Sequence, residues 1–277
     1  MLVSRMAARV AGSLMLVLAV GSVVVGSSAA GKPGMLWASP SGSGAVCTAP
    51  SPCSLAYAVA NAPTGATVRA LGGTYSGGVV IARPLQLLGQ DNAVLDASSS
   101  SNGVGIQITA SGSSVSQFTV ENATDEGILV GNSSADSSGS PVSEVTLDHV
   151  TVTNNDTGFN GGPGLGLGEC FTSTAPHAAP GDCGEGIHLN SVTNSLVDHS
   201  YVADNAGGIL LTDEFGPTSG NVIQHNTVVN NTNDCGITLA SHNKPVQGPP
   251  SSFGIFGNTV QFNTVDGNGV AGQAAGS

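Results

Sequence analysis

The chain is poor in basic and aromatic residues. Among its 277 residues are six lysines and arginines against 18 acidic residues, so the formal net charge at pH 7 is −12, and aromatic residues make up only 4%. A surface with so few cations repels polyanions, which argues against nucleic acids and anionic membranes as partners. It also argues against a site that grips an acidic polysaccharide by arginines, although a bound divalent cation would serve in their place.

Long apolar runs are missing outside the N-terminus. Arg5 and Arg9 precede the apolar segment 10–26, and small residues occupy 28–30. This order is typical of a secretory signal peptide, and the apolar run is short for a membrane-spanning helix. The alternative is an uncleaved membrane anchor. We expect residues 1–30 to be removed, leaving a secreted protein, extracellular or at the cell surface, without membrane contact.

Cysteine is scarce, with five in the chain. Export would permit disulfides, and two pairs of cysteines bracket loops. Cys47 and Cys53 enclose a short loop with two prolines, and we expect them to pair. Cys170 and Cys183 enclose an irregular segment and form the second expected pair. Cys235 is left over, and we expect it to be a buried thiol rather than a reactive one.

Against these absences stands an internal repeat. A Gly-Ile-x-Leu motif occurs at 186–189, 208–211 and 236–239, and the motif that begins at Asn221 recurs 37 residues later at Asn258. Apolar residues alternate within each copy, which is the period of a β-strand, and no helical pattern separates successive strands. Self-similarity at a period of about 20–50 residues indicates a solenoid.

This pattern resembles the right-handed parallel β-helix proteins, a group that includes pectate lyases, polygalacturonases and alginate epimerases. The resemblance covers roughly 54–272 and implies an all-β, single-stranded parallel β-helix. Its beginning is similar to the opening of many secreted β-helix proteins: Ser54 can cap a short amphipathic helix, and a Gly-Gly-Thr-Tyr turn follows at 72–75. We expect a leader over 31–53 and a β-helix domain over 54–277, with this helix as its N-terminal cap.

The other end of the expected solenoid has no recognisable cap. The last strand motif ends near Asn268, and the segment 269–277 has neither a charge nor a helical pattern. Repeat proteins need a capped final unit, because an open coil exposes apolar side chains and unpaired backbone groups. We expect Val260 and Val265 to be poorly covered, with the chain either a truncated version of a longer β-helix or self-associating through this end.

Two kinds of residue recur at fixed positions in the coils. One position, after the second strand, suits turn residues that tolerate a left-handed backbone and can stack as amide ladders. It is held by Asn122, Asn154, Asp204, Asn230 and Gly267. The other is held by Gln117, His149, His199, His225 and Phe262. Because it accepts phenylalanine, this second position indicates a stacking column rather than a set of metal ligands.

Candidate site residues lie between two insertions, 157–185 and 241–253. A glycosidase needs two carboxylates astride the bond, and clustered carboxylates also suit Ca²⁺. The predicted catalytic residues are Asp213, Glu214, His188 and Glu185. The predicted substrate-binding residues are Asn190, Asp234, His242 and Lys244. No HxxxH or CxxC spacing supports zinc, so the identity of any metal stays open, with Ca²⁺ as the cation considered.

The catalytic motifs of the related enzymes are missing. The segment 211–214 resembles the polygalacturonase Asn-Thr-Asp motif only weakly. A lyase of this group uses a basic residue, for which Lys244 is the only candidate in the second half of the sequence. We expect a secreted protein that contacts or acts on an extracellular polysaccharide. As an enzyme it would be a lyase, hydrolase or epimerase; the alternative is a non-catalytic carbohydrate-binding solenoid at the surface.

Overall fold

A computed structural model describes residues 34–131, 141–156, 185–213, 215–232, 234–241 and 253–270. The predicted signal peptide and the predicted Cys170–Cys183 pair lie outside these ranges. Within them, no helix is long and apolar enough to cross a membrane.

The described residues form one helix, α1 (Leu55–Asn61), and many short strands. The strands that precede the repeats are β1 (Met35–Ala38), β2 (Ala66–Ala70), β3 (Gly73–Ser76), β4 (Val79–Ile81), β5 (Leu85–Asp96), β6 (Ile106–Ile108) and β7 (Ser114–Glu121). The next two coils contain β8 (Ile128–Val130), β9 (Val142–Ser143), β10 (Thr146–Asp148), β11 (Thr151–Thr153), β12 (Glu185–Asn190), β13 (Val192–Thr193), β14 (Leu196–Asp198) and β15 (Tyr201–Ala203). The last two contain β16 (Gly207–Thr212), β17 (Thr218–Ser219), β18 (Val222–Gln224), β19 (Thr227–Val229), β20 (Ile237–Ala240), β21 (Ile255–Phe256), β22 (Thr259–Gln261) and β23 (Thr264–Asp266).

Equivalent strands of successive coils pair in parallel. One sheet runs in the order β20-β16-β12-β8-β6-β4, and a second runs β21-β17-β13-β9. In the third, β7 joins the column β10, β14, β18, β22 to the column β11, β15, β19, β23. The Gly-Ile-x-Leu copies pair in register, since Ile187 pairs with Ile209 and Ile209 with Ile237. The expectation of a parallel β-helix is confirmed.

The core is built from the inward residues of these strands. Ile106, Ile128, Ile187 and Ile209 form one continuous column with at most 1% of each side chain exposed. Full burial of such a side chain contributes about 1.5–3 kcal/mol. The alternation read from the sequence is therefore what holds successive coils together.

The N-terminal features also follow the sequence. Ser54 caps α1 by accepting a hydrogen bond from the backbone N–H of Tyr57 at 3.3 Å, and Leu55, Ala58 and Val59 form the buried face of the helix. Cys47 and Cys53 are bonded, which confirms that predicted disulfide.

The turn residues and the amide ladder are neighbours rather than one set. The expected left-handed backbone is confirmed, for example at Asn154 (φ 55°) and Asn230 (φ 59°). The ladder, however, is formed by the residues that follow them: Asn205 Oδ1 accepts from the backbone N–H of Asn155 at 2.9 Å, and Asn231 Oδ1 accepts from that of Asn205 at 3.0 Å. The ladder forms at the residue after each turn position, because the left-handed backbone of the turn residue carries the chain around the corner and the next residue points inward.

The last described coil is less covered than the one before it. Val260 and Val265 are 45% and 48% exposed, whereas their register partners Ile223 and Val228 are fully buried. Residues 271–277 lie outside the described part of the chain, so an open C-terminal coil stays a prediction.

Candidate functional site

Three predicted site residues, Glu185, His188 and Asn190, lie on β12, and all three are buried. In the register, His188 aligns with Leu129 of β8 and Leu210 of β16, and Asn190 aligns with Thr212. His188 is fully buried, although it points away from the core column of Ile187 and Leu189. Its Nε2 lies 2.8 Å from Thr212 Oγ1, and its Nδ1 lies 3.3 Å from Glu126 Oε1.

Asp213 lies at the end of β16 and is 1% exposed. Its Oδ2 accepts hydrogen bonds from Ser241 Oγ at 2.9 Å and from the backbone N–H of Gly254 at 2.7 Å. These contacts tie the end of β16 to the chain on both sides of the second insertion. The arrangement favours an anchoring role for Asp213, and its catalytic role stays a prediction.

Glu185 and Asp234 lie at or just before the N-terminal ends of strands of the same sheet, whereas Asp213 lies at the C-terminal end of β16. Glu185 is buried, and a Cβ added to Gly207, the residue paired with it, would lie 3.1 Å from Glu185 Cγ, a tight contact. Asp234 is also buried, and its Oδ1 accepts from the backbone N–H of Cys235 at 2.6 Å. Of the remaining predicted site residues, Glu214, His242 and Lys244 lie outside the described ranges.

Cys235 differs from the expectation. Its side chain is exposed, not buried. The protein atoms around the thiol partly desolvate it and raise its pKa, and the carboxylate of Asp234 raises that pKa further. A raised pKa keeps the thiol protonated and weakly nucleophilic at neutral pH.

Sequence reasoning missed a cluster of three carboxylate residues, two of which have strongly raised pKa values. It consists of Asp125, Glu126 and Asp156, and we call it the acidic cluster. Glu126 and Asp156 are 2% and 7% exposed, and the backbone N–H of Asp156 donates to the carbonyl of Asp125 at 3.0 Å. A signal was present: Glu126 precedes Gly127-Ile128 just as Glu185 precedes Gly186-Ile187.

Burial changes the acidity of this cluster. Burial above all, and then the neighbouring carboxylate of Glu126, raises the pKa of Asp125 to about 9. The same two causes raise the pKa of Asp156 to about 8. Displaced pKa values of this size concentrate at functional sites. Near neutral pH the cluster therefore holds protons unless another cation neutralises it.

The acidic cluster also contains buried oxygens that lack hydrogen bonds. Glu126 Oε2 and Asp156 Oδ2 are buried and accept none within the described ranges. The two arginines in those ranges are placed elsewhere, with Arg69 over the ring of Trp37 and Arg83 donating to the carbonyl of Ala60. Buried acceptors of this kind are costly unless a ligand supplies the missing partner. Carboxylate oxygens are the donors that Ca²⁺ prefers, so the cluster fits such an ion.

Asp156 connects the acidic cluster to the surface. It borders a depression of about 210 Å³ whose other lining residues include Asn154, Asp204, Asn205 and Thr232. The lining is rich in amide, carboxylate and hydroxyl groups, which can form hydrogen bonds with the hydroxyl groups of a sugar.

Comparison with known proteins identifies the fold family. The model of a family described as "Right handed beta helix region" matches residues 99–277. The chain belongs to this family. No curated protein gives a significant match to this right-handed β-helix protein.

Two solved structures of related architecture are polysaccharide lyases. The pectate lyase Pel9A is similar with a TM-score of 0.53 and 16% identity, over 74% of this chain and 50% of that chain. An alginate lyase from Paenibacillus sp. str. FPU-7 has a TM-score of 0.45 and 14% identity, over 83% of this chain and 75% of that chain. The right-handed β-helix described here thus spans half the length of the pectate lyase, and identities this low show the fold alone.

Proposed function

We propose that this right-handed β-helix protein is extracellular and binds an acidic polysaccharide through a divalent cation, with the acidic cluster as the cation site. The shared fold of the pectate lyase supports the polysaccharide as ligand class. The shortage of lysine and arginine supports the cation, because a chain with net charge −12 otherwise repels a polyuronate.

One observation carries the cation site. Glu126 Oε2 and Asp156 Oδ2 are buried oxygens without hydrogen bonds in the described ranges, next to Asp125. Ca²⁺ would be held by these three carboxylates and would supply positive charge for a uronate carboxylate. Asp156 borders the depression beside the cluster, so it would bring cation and sugar together. The amide of Asn154 and the hydroxyl group of Thr232, both exposed in this depression, would orient the sugar hydroxyls.

A second candidate function is general acid catalysis by Asp156. With a pKa of about 8, its carboxyl group is protonated at neutral pH. A protonated carboxyl group that borders a polar depression can donate its proton to a glycosidic oxygen. Hydrolysis would need a second carboxylate, for which Asp204 in the same depression is the candidate. The two functions are distinguishable, because a bound cation displaces the proton that the acid needs.

Calcium titration of the tag-free full chain tests the cation site. After removal of metal by a chelator, calorimetry should show one Ca²⁺ per chain, weakened about 10–100-fold by Asp156→Asn and by Glu126→Gln. Asp91→Asn is the matched control, since Asp91 is an exposed carboxylate with a left-handed backbone that asparagine tolerates. Equal affinity of Asp156→Asn, Glu126→Gln and Asp91→Asn would refute the site.

Binding and cleavage of oligogalacturonates and oligoalginates test the rest. We expect both to be retained on the protein in Ca²⁺ but not in chelator, and a neutral dextran not to be retained. Failure to retain either acidic oligosaccharide in Ca²⁺ would contradict the polysaccharide proposal. Release of new reducing ends in chelator, lost in Asp156→Asn, would instead establish Asp156 as a catalytic acid.

A further inference from the structure

A column of stacked rings lies on the outer surface, beside the turn that follows β10, β14, β18 and β22. The ring centroids of His149 and His199 are 5.0 Å apart, those of His199 and His225 are 4.8 Å apart, and those of His225 and Phe262 are 5.3 Å apart. This confirms the stacking column expected from the sequence. All four residues have a left-handed backbone, with φ between 47° and 57°. The repeated backbone conformation places the imidazoles in register before any ligand arrives.

The histidines share a carboxylate on the neighbouring strand position. Asp198 Oδ1 lies 2.9 Å from His199 Nδ1 and 3.1 Å from His225 Nδ1. One carboxylate oxygen of Asp198 therefore lies between two imidazole nitrogens.

This geometry suits a metal ion that prefers nitrogen and oxygen ligands. Zn²⁺ binds imidazole nitrogen and carboxylate oxygen at about 2.0–2.2 Å, so adjacent ligand atoms in its tetrahedral shell are about 3.3–3.6 Å apart. The oxygen–nitrogen separations at Asp198, 2.9 Å and 3.1 Å, are a few tenths of an ångström shorter, and the three ligand atoms all lie within 4.8 Å of one another, so small side-chain rotations would admit the ion. The ring planes of His199 and His225 are inclined to each other by 22°, whereas those of His149 and His199 are inclined by 5°. Because a metal ion binds each imidazole nitrogen in the plane of its ring, the more inclined pair needs the smaller rotation to share one ion.

We propose that Asp198, His199 and His225 form a surface site for a divalent transition metal ion of the Zn²⁺ and Cu²⁺ class. The ion takes the place of the protons on the two Nδ1 atoms, and water completes its shell. A second set, Asp148, His149 and His199, has the same residue types. We assign the first set because Asp198 contacts two imidazoles and is 17% exposed, whereas Asp148 contacts His149 and is 40% exposed.

This site differs in chemistry from the acidic cluster, and the inference does not rest on the proposed function. The acidic cluster offers carboxylate oxygens, which suit hard cations such as Ca²⁺. The Asp198 site offers two imidazoles, which suit later transition metals, with Cu²⁺ bound more tightly than Zn²⁺. A metal ion at Asp198 would also cross-link two adjacent coils, since His199 follows strand β14 and His225 follows strand β18.

Metal titration of glutamine variants tests the assignment. Glutamine is the appropriate replacement because Gln117 holds the same coil position with a left-handed backbone of φ 54°. On the tag-free, chelator-treated full chain, calorimetry with ZnCl₂ and CuCl₂ should show one ion per chain. We expect His199→Gln and His225→Gln to weaken binding about 10–100-fold, and the control His149→Gln to change it less than about threefold. Electron paramagnetic resonance of the Cu²⁺ form should show two coordinated imidazoles, reduced to one in His225→Gln.

Three outcomes would overturn the site. The first is unchanged affinity in His225→Gln and in Asp198→Asn, which serves as a second variant should His225→Gln fold poorly. The second is loss of binding in His149→Gln with retention in His225→Gln, which would assign the ion to the Asp148 set. The third is loss of Cu²⁺ binding in Asp156→Asn, which would assign it to the acidic cluster.

Discussion

His188 Nε2 lies 2.8 Å from Thr212 Oγ1, and this contact joins the outward faces of two adjacent coils at full burial. On the other side of the same ring, Nδ1 lies 3.3 Å from Glu126 Oε1. The imidazole therefore links β12 to the coil on either side of it. A buried polar chain of this kind fixes the register of the coils, because a slip by one residue would leave buried groups without these partners.

Thr212→Val should destabilise the protein by about 1–3 kcal/mol. Valine has the shape of threonine but removes the hydroxyl group that contacts His188 Nε2 in a buried environment. The control is Thr67→Val, because Thr67 Oγ1 makes its hydrogen bond to Gln86 at an exposed position. Urea unfolding measures both changes. Equal free energies of unfolding for the two variants would show that the His188 contact contributes nothing.

Asn205→Ala should cost more than Asn268→Ala, because Asn205 is an inner rung of the amide ladder. Its Oδ1 accepts from the backbone N–H and the Nδ2 of Asn155, and its Nδ2 donates to the carbonyl of Val152 at 3.1 Å. We expect a loss of about 2–4 kcal/mol, from several buried hydrogen bonds. Asn268 is the last rung in the described part of the chain and is only partly buried. Thermal unfolding of both variants decides this, and a greater loss in Asn268→Ala would contradict the account.

The fold could be predicted from the sequence because the repeated motif contains the apolar alternation of a β-strand. Alternating Ile187 and Leu189, repeated at Ile209 and Leu211, requires strands that stack in register, and this is what the structure has. The ladder residues Asn155 and Asn205 each follow a turn residue directly. Nothing in the spacing of Asn154 and Asn155 tells which of the two points inward, since that depends on which adopts the left-handed backbone.

The candidate site was harder to predict, because it depends on residues from different coils. Asp125 and Asp156 are 31 positions apart in the chain. They become neighbours only when the coils stack, and their raised pKa values come from burial, which local pattern does not show. Asp213 and His188 are visible in the sequence because they lie in or next to the clear Gly-Ile-x-Leu copies. Asp125 and Glu126 precede a less obvious copy, in which Ile128-Leu129-Val130 takes the place of Ile187-His188-Leu189.

The metal-free protein should lose stability as the pH rises from about 4 to about 8. The folded-state pKa of Asp156 is raised to about 8 from its ordinary value of 3.8, so the folded state binds the proton more tightly than the unfolded state does. Its stabilising effect is complete below pH 4 and is lost as the unfolded chain releases its proton. Asp156→Asn should remove part of this slope and stabilise the protein at pH 8 by about 2 kcal/mol or more.

Denaturant unfolding in chelator at pH 5 and pH 8 measures this pH dependence. Asp91→Asn again serves as the control, because Asp91 is exposed and should leave the slope unchanged. If Asp156→Asn is no more stable than the parent protein at pH 8, then Asp156 is ionised in the folded state. Added Ca²⁺ should restore stability to the parent protein at pH 8 but not to Asp156→Asn.

Gly186→Ala should destabilise the protein strongly. A Cβ at Gly186 would lie 2.6 Å from Val202 Cγ1 and 2.7 Å from Asn205 Nδ2, so the motif glycine exists to let the amide ladder approach. We expect a loss of more than about 2 kcal/mol, since overpacking here also disturbs buried hydrogen bonds. Gly44→Ala separates this steric effect from backbone strain. Gly44 has φ +76°, and no atom of the described residues lies within 4 Å of its added Cβ, so the substitution should cost about 1 kcal/mol. Thermal unfolding compares the two, and an equal loss would mean that the ladder can shift to make room.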